Sequence, residues 1–192
     1  MIFNMIFGVA ADESTPTPTP TPDPLILYEA GNENVAFDTF APANSSSTGV
    51  MYEGETAAVL RSPPQGCKKG TDALEIYWKQ PNSQAAWGNG AFGTKATVDL
   101  SSWTTLHIKA TKADSTGGTA NYHVFGVTFS KSPTGNNTPP GTYKTIGVGE
   151  TTLDISALSS GYIYFGGMLR SNAITGTEDR HVRIVVTKIW LT

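Results

Sequence analysis

The sequence has little of what several protein classes need. Only 15% of its 192 residues are charged, its net charge is −3, and Cys67 is its one cysteine. One cysteine excludes an intrachain disulfide, so Cys67 is either an incidental thiol or a reactive one beside Lys68 and Lys69. That lysine pair is the densest basic cluster. Nucleic-acid binding, which needs a basic footprint, and polybasic attachment to a membrane are therefore disfavoured.

Motifs for catalysis and for metal binding are also missing. His107, His123 and His181 show no HxH or HExxH spacing, which argues against a zinc site. There is no nucleophile elbow, phosphate-binding loop or dinucleotide fingerprint. Paired glycosidase carboxylates meet only in space, but Asp99 and Asp154 already suit a role in turns. We therefore expect a protein that is not an enzyme and needs no cofactor.

What the chain does have is a run of alternating prolines, TPTPTPTPDP, over residues 15–24. Each proline fixes φ and removes a backbone donor, so the run favours an extended spacer outside any helix or sheet, about 30 Å long. This spacer divides the chain into an N-terminal peptide of residues 1–11, a Thr/Pro-rich linker of residues 12–24 and a domain of residues 25–192.

The N-terminal peptide is strongly apolar, because six of its first seven residues are Met, Ile or Phe. It is too short to span a bilayer and lacks the basic region of a secretory signal, although Val9-Ala10-Ala11 resembles a cleavage site. An uncovered apolar peptide is an aggregation liability. We expect residues 1–8 to dock into a larger protein assembly, with a truncated signal as the alternative. The predicted partner-binding residues are Ile2, Phe3, Met5, Ile6 and Phe7.

Strand-like segments bounded by Gly, Pro, Asn or Ser recur along residues 25–192, and no segment has a convincing long helical period. Nine or ten short strands of this kind predict an all-β sandwich. The segment 181–192 is apolar on both faces, which predicts a central strand, and Trp103 and Trp190 are assigned to the core. The predicted core further contains Leu74, Ile76, Trp78, Leu106, Ile108, Phe125, Val127, Phe129, Ile163 and Phe165.

Two segments repeat one pattern, in which a strand ends in Asp, an aliphatic residue and Ser. They are VDLSSW over residues 98–103 and LDISAL over residues 153–158. The Asp side chains are expected to bond nearby backbone and end the strands, while Leu100 and Ile155 close the edge of the sandwich.

Three stretches, TVDLSSWTTLHIKA, TTLDISALSSGYIYFGG and the terminal VRIVVTKIWL, resemble jelly-roll carbohydrate-binding modules. The resemblance covers about residues 25–192, and it implies a two-sheet antiparallel jelly-roll sandwich that binds polysaccharide. Similar domains occur on secreted polysaccharide-degrading enzymes and on tailed-phage virions, and the apolar start MIFNMIFG looks more like the phage setting. Such modules often hold a structural calcium ion, for which Glu29 and Glu33 are candidate ligands.

Sugar binding needs aromatic rings that stack on pyranose faces, with amide, Arg or acid side chains nearby. Trp87 with Asn89, in a Gly-rich segment interpreted as a loop over residues 80–93, is the first candidate, although Trp87 could instead fold back onto the core. Outward strand positions offer further candidates, Tyr77, and Tyr164 with Arg170.

The sequence therefore favours a non-catalytic virion accessory or surface protein, anchored by its N-terminal peptide and displaying a glycan-binding sandwich. A virion or the extracellular surface is the expected location. Two alternatives stay open. One is a carbohydrate-binding module of a secreted polysaccharide-degrading enzyme, and the other is a purely structural assembly subunit.

Overall fold

The computed structural model describes residues 23–40, 67–79, 86–116, 120–131, 141–171 and 181–192. The N-terminal peptide, most of the linker and the strand expected at residues 57–61 lie outside these ranges, so the predicted domain boundaries stay predictions. The described residues form thirteen strands and no helix. None of them belongs to a helix long and apolar enough to cross a membrane.

All paired strands are antiparallel, and they form two sheets. In chain order the strands are β1 (Leu25–Glu29), β2 (Asn32–Glu33), β3 (Phe37–Phe40), β4 (Cys67–Lys69), β5 (Leu74–Lys79), β6 (Ala86–Thr94), β7 (Val98–Asp99), β8 (Thr105–Thr116), β9 (Ala120–Thr128), β10 (Thr142–Thr145), β11 (Gly149–Asp154), β12 (Ser160–Ser171) and β13 (His181–Leu191). The first sheet has the order β11-β8-β13-β1-β2, with β5 beside β13 and β4 beside β5. The second sheet has the order β10-β9-β12-β6-β3, with β7 beside β12.

The two sheets pack face to face around one core, as the predicted jelly-roll sandwich requires. A Cβ atom added to Gly167 on β12 would lie 2.4 Å from Cγ1 of Val182 on β13, so the sheets approach closely there. Strand β13 pairs with β1, β5 and β8, which confirms its central position. Eight predicted core residues are buried: Leu74, Ile76, Leu106, Ile108, Phe125, Val127, Ile163 and Phe165.

The repeated Asp-aliphatic-Ser pattern acts as predicted at both of its positions. Oδ1 of Asp99 accepts hydrogen bonds from the backbone N–H of Ser101 at 2.9 Å and from its hydroxyl at 2.7 Å. Asp154 makes the same two bonds with Ser156. These bonds lower the pKa of both carboxyl groups. The neighbouring Leu100 and Ile155 are buried.

Two core assignments are wrong. Phe129 is 71% exposed, because β9 ends at Thr128 and the strand alternation ends with it. The Thr128 hydroxyl accepts a hydrogen bond from Ser130 N–H and donates one to the Ser130 carbonyl, which turns the chain. Trp190 is only partly buried and lies on the outer side of the first sheet, between the inward-facing Ile189 and Leu191.

The Gly-rich segment interpreted as a loop is largely a strand. Residues 86–94 form β6, which pairs with β12 along eight positions and with β3 along four. Glycine is rare in strands because it lacks a side chain to pack, so the Gly-rich composition favoured a loop. Here the small residues allow close packing, since a Cβ on Gly166 of β12 would lie 2.9 Å from the Cβ of Ala91.

Candidate functional site

The outer side of the second sheet carries a cluster of tyrosines, which we call the tyrosine face. It consists of Tyr122 on β9, Tyr143 on β10, and Tyr162 and Tyr164 on β12, with Ala91 and Val124 between them. The side chains of Phe92, Phe125 and Phe165 occupy the alternate positions of the same strands and point into the core. Period-2 alternation thus puts phenylalanines inside and tyrosines outside.

Glycines flank the central tyrosine of this face. In the strand register, Tyr164 lies opposite Gly93 on one side and Gly126 on the other, and Gly126 in turn lies opposite Tyr143. The missing side chain at Gly126 leaves room between the two tyrosines. A Cβ there would also lie only 2.1 Å from the Thr142 carbonyl oxygen. The face therefore depends on glycine both for its flatness and for the docking of β10.

The tyrosines form two levels. Tyr164 is 3% exposed and packs on Ala91 and Val124. Its burial raises its pKa, and the nearby Tyr122 and Tyr143 raise it further. Tyr143 is 42% exposed and lies on the edge strand. The rings of Tyr122, Tyr143 and Tyr162 thus lie nearer the surface, and the ring of Tyr164 lies beneath them.

The backbone register brings three sequence-predicted site residues to the same face. Trp87 pairs directly with Arg170, and Asn89 pairs with Met168. Positions 87 and 89 share the alternation of Ala91, and position 170 shares that of Tyr164. Trp87 with Asn89 and Tyr164 with Arg170 were two separate candidate pairs in the sequence, and the pairing of β6 with β12 gives their positions the same side of the sheet.

A lysine lies at the rim of the tyrosine face. Nζ of Lys131 lies 5.2 Å from the centre of the Tyr162 ring, a cation–π contact. The same ammonium donates a hydrogen bond to the Lys95 carbonyl. Two contacts therefore hold an exposed cation at a defined position beside the tyrosines.

Tyr77, the remaining predicted ligand-binding residue, lies on the outer side of the first sheet, away from the other candidates. Its ring stacks on His181, with centroids 6.2 Å apart. Nε2 of His181 meets Oδ2 of Asp114, and Nε of Arg183 donates to Oδ1 of Asp114 at 3.2 Å. Despite a burial penalty, these bonds lower the pKa of Asp114. We call this outer side of the first sheet the ionic face.

The other half of the ionic face surrounds Trp190. Its ring stacks on His107 with centroids 4.7 Å apart, and Nζ of Lys188 lies 5.3 Å from its centre. The two His107 nitrogens lie 2.8 Å from Glu150 and from the Thr192 hydroxyl. The indole is thus enclosed by neighbours that the sequence pattern alone did not reveal.

The candidate calcium ligands contact lysines. Oε1 of Glu33 lies 2.5 Å from Nζ of Lys69, and Glu29 lies 2.8 Å from Nζ of Lys188. The other Glu33 oxygen accepts a hydrogen bond from Phe37 N–H. The described part of the chain contains no group of three or more His, Cys, Asp or Glu that could hold a metal. A calcium site at Glu29 and Glu33 stays a prediction.

The lone cysteine begins strand β4 and does not lie in a loop. Burial raises the pKa of the Cys67 thiol to about 12, and Sγ lies 3.9 Å from the Ala91 carbonyl oxygen. A thiol with so high a pKa is protonated at neutral pH and is a poor nucleophile. This favours the incidental interpretation of Cys67 over the reactive one.

Sequence reasoning missed Tyr122 and Tyr143. The sequence did contain a signal for Tyr122, because its position along the strand faces the opposite side from the core residues Phe125 and Val127. Tyr143 had no such signal, since β10 is exposed at all four positions. Only the pairing of β10 with β9 places it beside Tyr164.

Comparison with known proteins gives a likeness to solved structures. No family model matches the chain, and no curated protein matches it. Among solved structures it is similar to CBM86, a low-affinity xylan-binding module of the gut symbiont Roseburia intestinalis, at 11% identity, covering 82% of this chain and 95% of that chain with a TM-score of 0.36. A likeness this distant carries no argument about what this chain binds.

Proposed function

We propose that this protein is a non-catalytic polysaccharide-binding domain and that the tyrosine face is its binding surface. The observation that carries the proposal is the convergence of Tyr122, Tyr143, Tyr162 and Tyr164 on one outer face. Trp87, Asn89 and Arg170 share that face by register. A pyranose ring presents C–H groups on its faces and hydroxyls at its edge. Aromatic rings with hydroxyl groups complement both parts.

The shape of the face fits an extended ligand. The glycines at positions 93, 126 and 166 carry no side chain that would interrupt the surface between the tyrosines. An open, shallow surface lets a polymer bind within its length, without an end entering a pocket. Affinity then comes from several modest contacts, so a weak interaction with long chains is expected.

The experiment compares Tyr143→Ala with Tyr77→Ala, by affinity electrophoresis in gels containing different polysaccharides. Tyr143 is 42% exposed on the tyrosine face, and losing its ring should weaken binding about tenfold, or about 1.4 kcal/mol. Tyr77→Ala changes the ionic face and is the matched control. If Tyr77→Ala abolishes binding and Tyr143→Ala does not, the site lies on the other sheet. Absence of binding across a broad panel would overturn the proposal.

The presentation of the domain is a further part of the proposal. The N-terminal peptide and the Thr/Pro-rich linker suit a domain held at a distance from a larger assembly, such as a virion or a cell surface. Support comes from the apolar residues Ile2, Phe3, Met5, Ile6 and Phe7 next to a proline spacer. In the alternative of a secreted enzyme's module, the same linker would separate binding from catalysis.

Deleting residues 1–11 tests this presentation. The domain should stay folded and keep its affinity for polysaccharide, because the linker separates it from the deleted peptide. The truncated protein should no longer join the particle or surface that carries it. Full incorporation of the truncated protein would instead favour the structural-subunit alternative, in which outward tyrosines form subunit contacts.

A further inference from the structure

The charges around the tyrosine face differ in sign from those of the whole chain. The strands of the second sheet and the three residues beyond each strand end carry four basic residues, Lys95, Lys131, Lys144 and Arg170, and two acidic ones, Asp38 and Asp99. The complete chain has a net charge of −3. Asp99 is already engaged by Ser101, and Asp38 lies 3.7 Å from Nζ of Lys95. Asp38 and Lys95 offset each other, so Lys131 and the position of Arg170 leave this side of an acidic protein locally positive.

Lys131 is the best placed of these cations. The Tyr162 ring and the Lys95 carbonyl hold its ammonium group at the rim. An ammonium has three N–H donors, and the Lys95 carbonyl takes one of them. A lysine held in place loses less side-chain entropy on binding than a freely rotating one.

We propose that the ligand of the tyrosine face is an anionic polysaccharide and that Lys131 receives its charged group. The sugar ring would lie on the outer tyrosines while a carboxylate or sulfate reaches the ammonium at the rim. Both groups present oxygen acceptors that form charge-assisted hydrogen bonds with a lysine. This inference rests on the proposed function and adds the chemical class of the ligand and the residue that selects it.

The chemistry of the face supports an anion at this position over a second cation or a neutral hydroxyl. Asp38 is paired across 3.7 Å with Lys95, and the described salt bridges give Lys131 no acidic partner. Lys144 is also exposed on β10, but it pairs with the core residue Phe125, so it lies on the opposite side of that strand from Tyr143 and does not belong to the tyrosine face.

The test uses the full chain and three polymers: a polyuronate, the same polyuronate with its carboxylates reduced to alcohols, and a sulfated neutral glucan. Affinities are measured by titration calorimetry at low and at physiological salt. We expect an anionic polymer to bind about tenfold tighter than the carboxyl-reduced one at low salt, and the difference to shrink as salt screens the charges. The charged polymer that binds identifies the source of the anion.

Variants separate Lys131 from the general charge of the protein. Lys131→Gln should weaken binding of the anionic polymer about threefold, while Lys131→Arg should retain it. Lys112→Gln, which removes an exposed lysine from the ionic face, is the matched control and should change nothing. Equal losses of affinity for Lys131→Gln and Lys112→Gln would show that the effect comes from net charge, and they would overturn the role assigned to Lys131.

The outcome for the carboxyl-reduced polymer keeps the two proposals distinguishable. If it binds as tightly as the polyuronate and the sulfated glucan, and Tyr143→Ala weakens that binding about tenfold, the anionic preference is wrong and the polysaccharide-binding function stands. If none of the three polymers nor a broader neutral panel binds, both fail.

Discussion

The outer faces of the two sheets differ in the side chains that occupy their outward-facing positions. On the ionic face, Asp114 lies between His181 and Arg183, and Glu29 meets Lys188, so these charges have partners close by. On the tyrosine face the corresponding outward positions hold tyrosines, glycines and small aliphatic residues. A ligand gains little free energy by displacing charged side chains that already neutralise one another. A face of uncharged rings offers contact area without breaking ion pairs.

The two faces also differ in how they depend on glycine. Strand β13 contributes bulky side chains to the ionic face and has no glycine, although two register irregularities interrupt its alternation. The tyrosine face is interrupted by glycines at the positions that flank its central tyrosine. Packing between long side chains determines the shape of the ionic face. Close approach of neighbouring backbones determines the shape of the tyrosine face.

The largest effect is expected from Gly126→Ala. The new Cβ would lie 2.1 Å from the Thr142 carbonyl oxygen and 2.8 Å from the Tyr143 Cα. Backbone atoms of a paired strand cannot move aside as a side-chain end does, so β10 should separate from β9. We expect a loss of about 2–3 kcal/mol in the free energy of unfolding, measured by urea denaturation, together with loss of binding.

Gly147→Ala is the control for this substitution. A Cβ at Gly147 would meet only the Thr151 hydroxyl oxygen at 3.5 Å, an ordinary contact. Its free energy of unfolding should change by less than about 0.5 kcal/mol. If both variants unfold at the same urea concentration, the close approach at Gly126 does not set the stability of the tyrosine face.

The next effect separates binding from stability. Trp87→Ala removes the largest aromatic residue that the register assigns to the tyrosine face. We expect polysaccharide binding to fall below detection in affinity gels, with the melting temperature nearly unchanged. Phe129→Ala removes an aromatic ring that is 71% exposed outside this face, and it should affect neither quantity. Unaltered binding, or a large drop in melting temperature, would assign Trp87 to the core.

The strand periodicity was enough to predict the inside of this molecule. Residues such as Ile76, Ile108 and Phe125 alternate with polar neighbours, and burial of apolar side chains decides their direction. The core assignment of Phe129 was wrong because hydrogen bonds between the Thr128 side chain and the Ser130 backbone turn the chain. The strand alternation therefore ends one residue earlier. A local hydrogen bond of this kind leaves no trace in hydrophobic periodicity.

The outside was harder to predict because it depends on which strands become neighbours. Trp87 was a candidate apart from the pair Tyr164 and Arg170, and only the antiparallel pairing of β6 with β12 brings their positions to the same side of the sheet. The glycines of β6 suppressed the strand signal where the proposed site lies. Tyr77 carried an equally good pattern and lies on the opposite face, since a sequence shows alternation within a strand but not which sheet the strand joins.

A smaller effect is expected on the ionic face. Asp114→Asn keeps the shape of the side chain and removes the charge that contacts His181 and Arg183. Asp114 is 36% exposed, so solvent screens the pair, and we expect a loss of about 1 kcal/mol in the free energy of unfolding at neutral pH. Polysaccharide binding should stay at the wild-type level. Weaker binding by this variant would show that the two faces are coupled.

The smallest effect concerns His123, which lies on neither face. It shares the inward parity of Phe125 on β9, and its Nδ1 lies 2.9 Å from the Ser115 hydroxyl oxygen. Burial lowers its pKa below the ordinary value of 6.5, while the nearby Asp114 raises it. In the folded protein the imidazole therefore resists protonation more than it does in the unfolded chain.

The sign of the pH dependence follows from that difference. Above pH 6.5 His123 is neutral in both states, so its contribution to stability is fully present. As the pH falls through 6.5 towards the lower pKa of the folded state, the unfolded chain binds the proton first and the protein loses stability. Melting temperatures measured on both sides of pH 6.5 should fall further for the wild type than for His123→Gln. Asp114→Asn removes a charge that raises the pKa of His123, so it should widen this fall. Parallel pH curves for the wild type and His123→Gln would show that the imidazole titrates equally in both states.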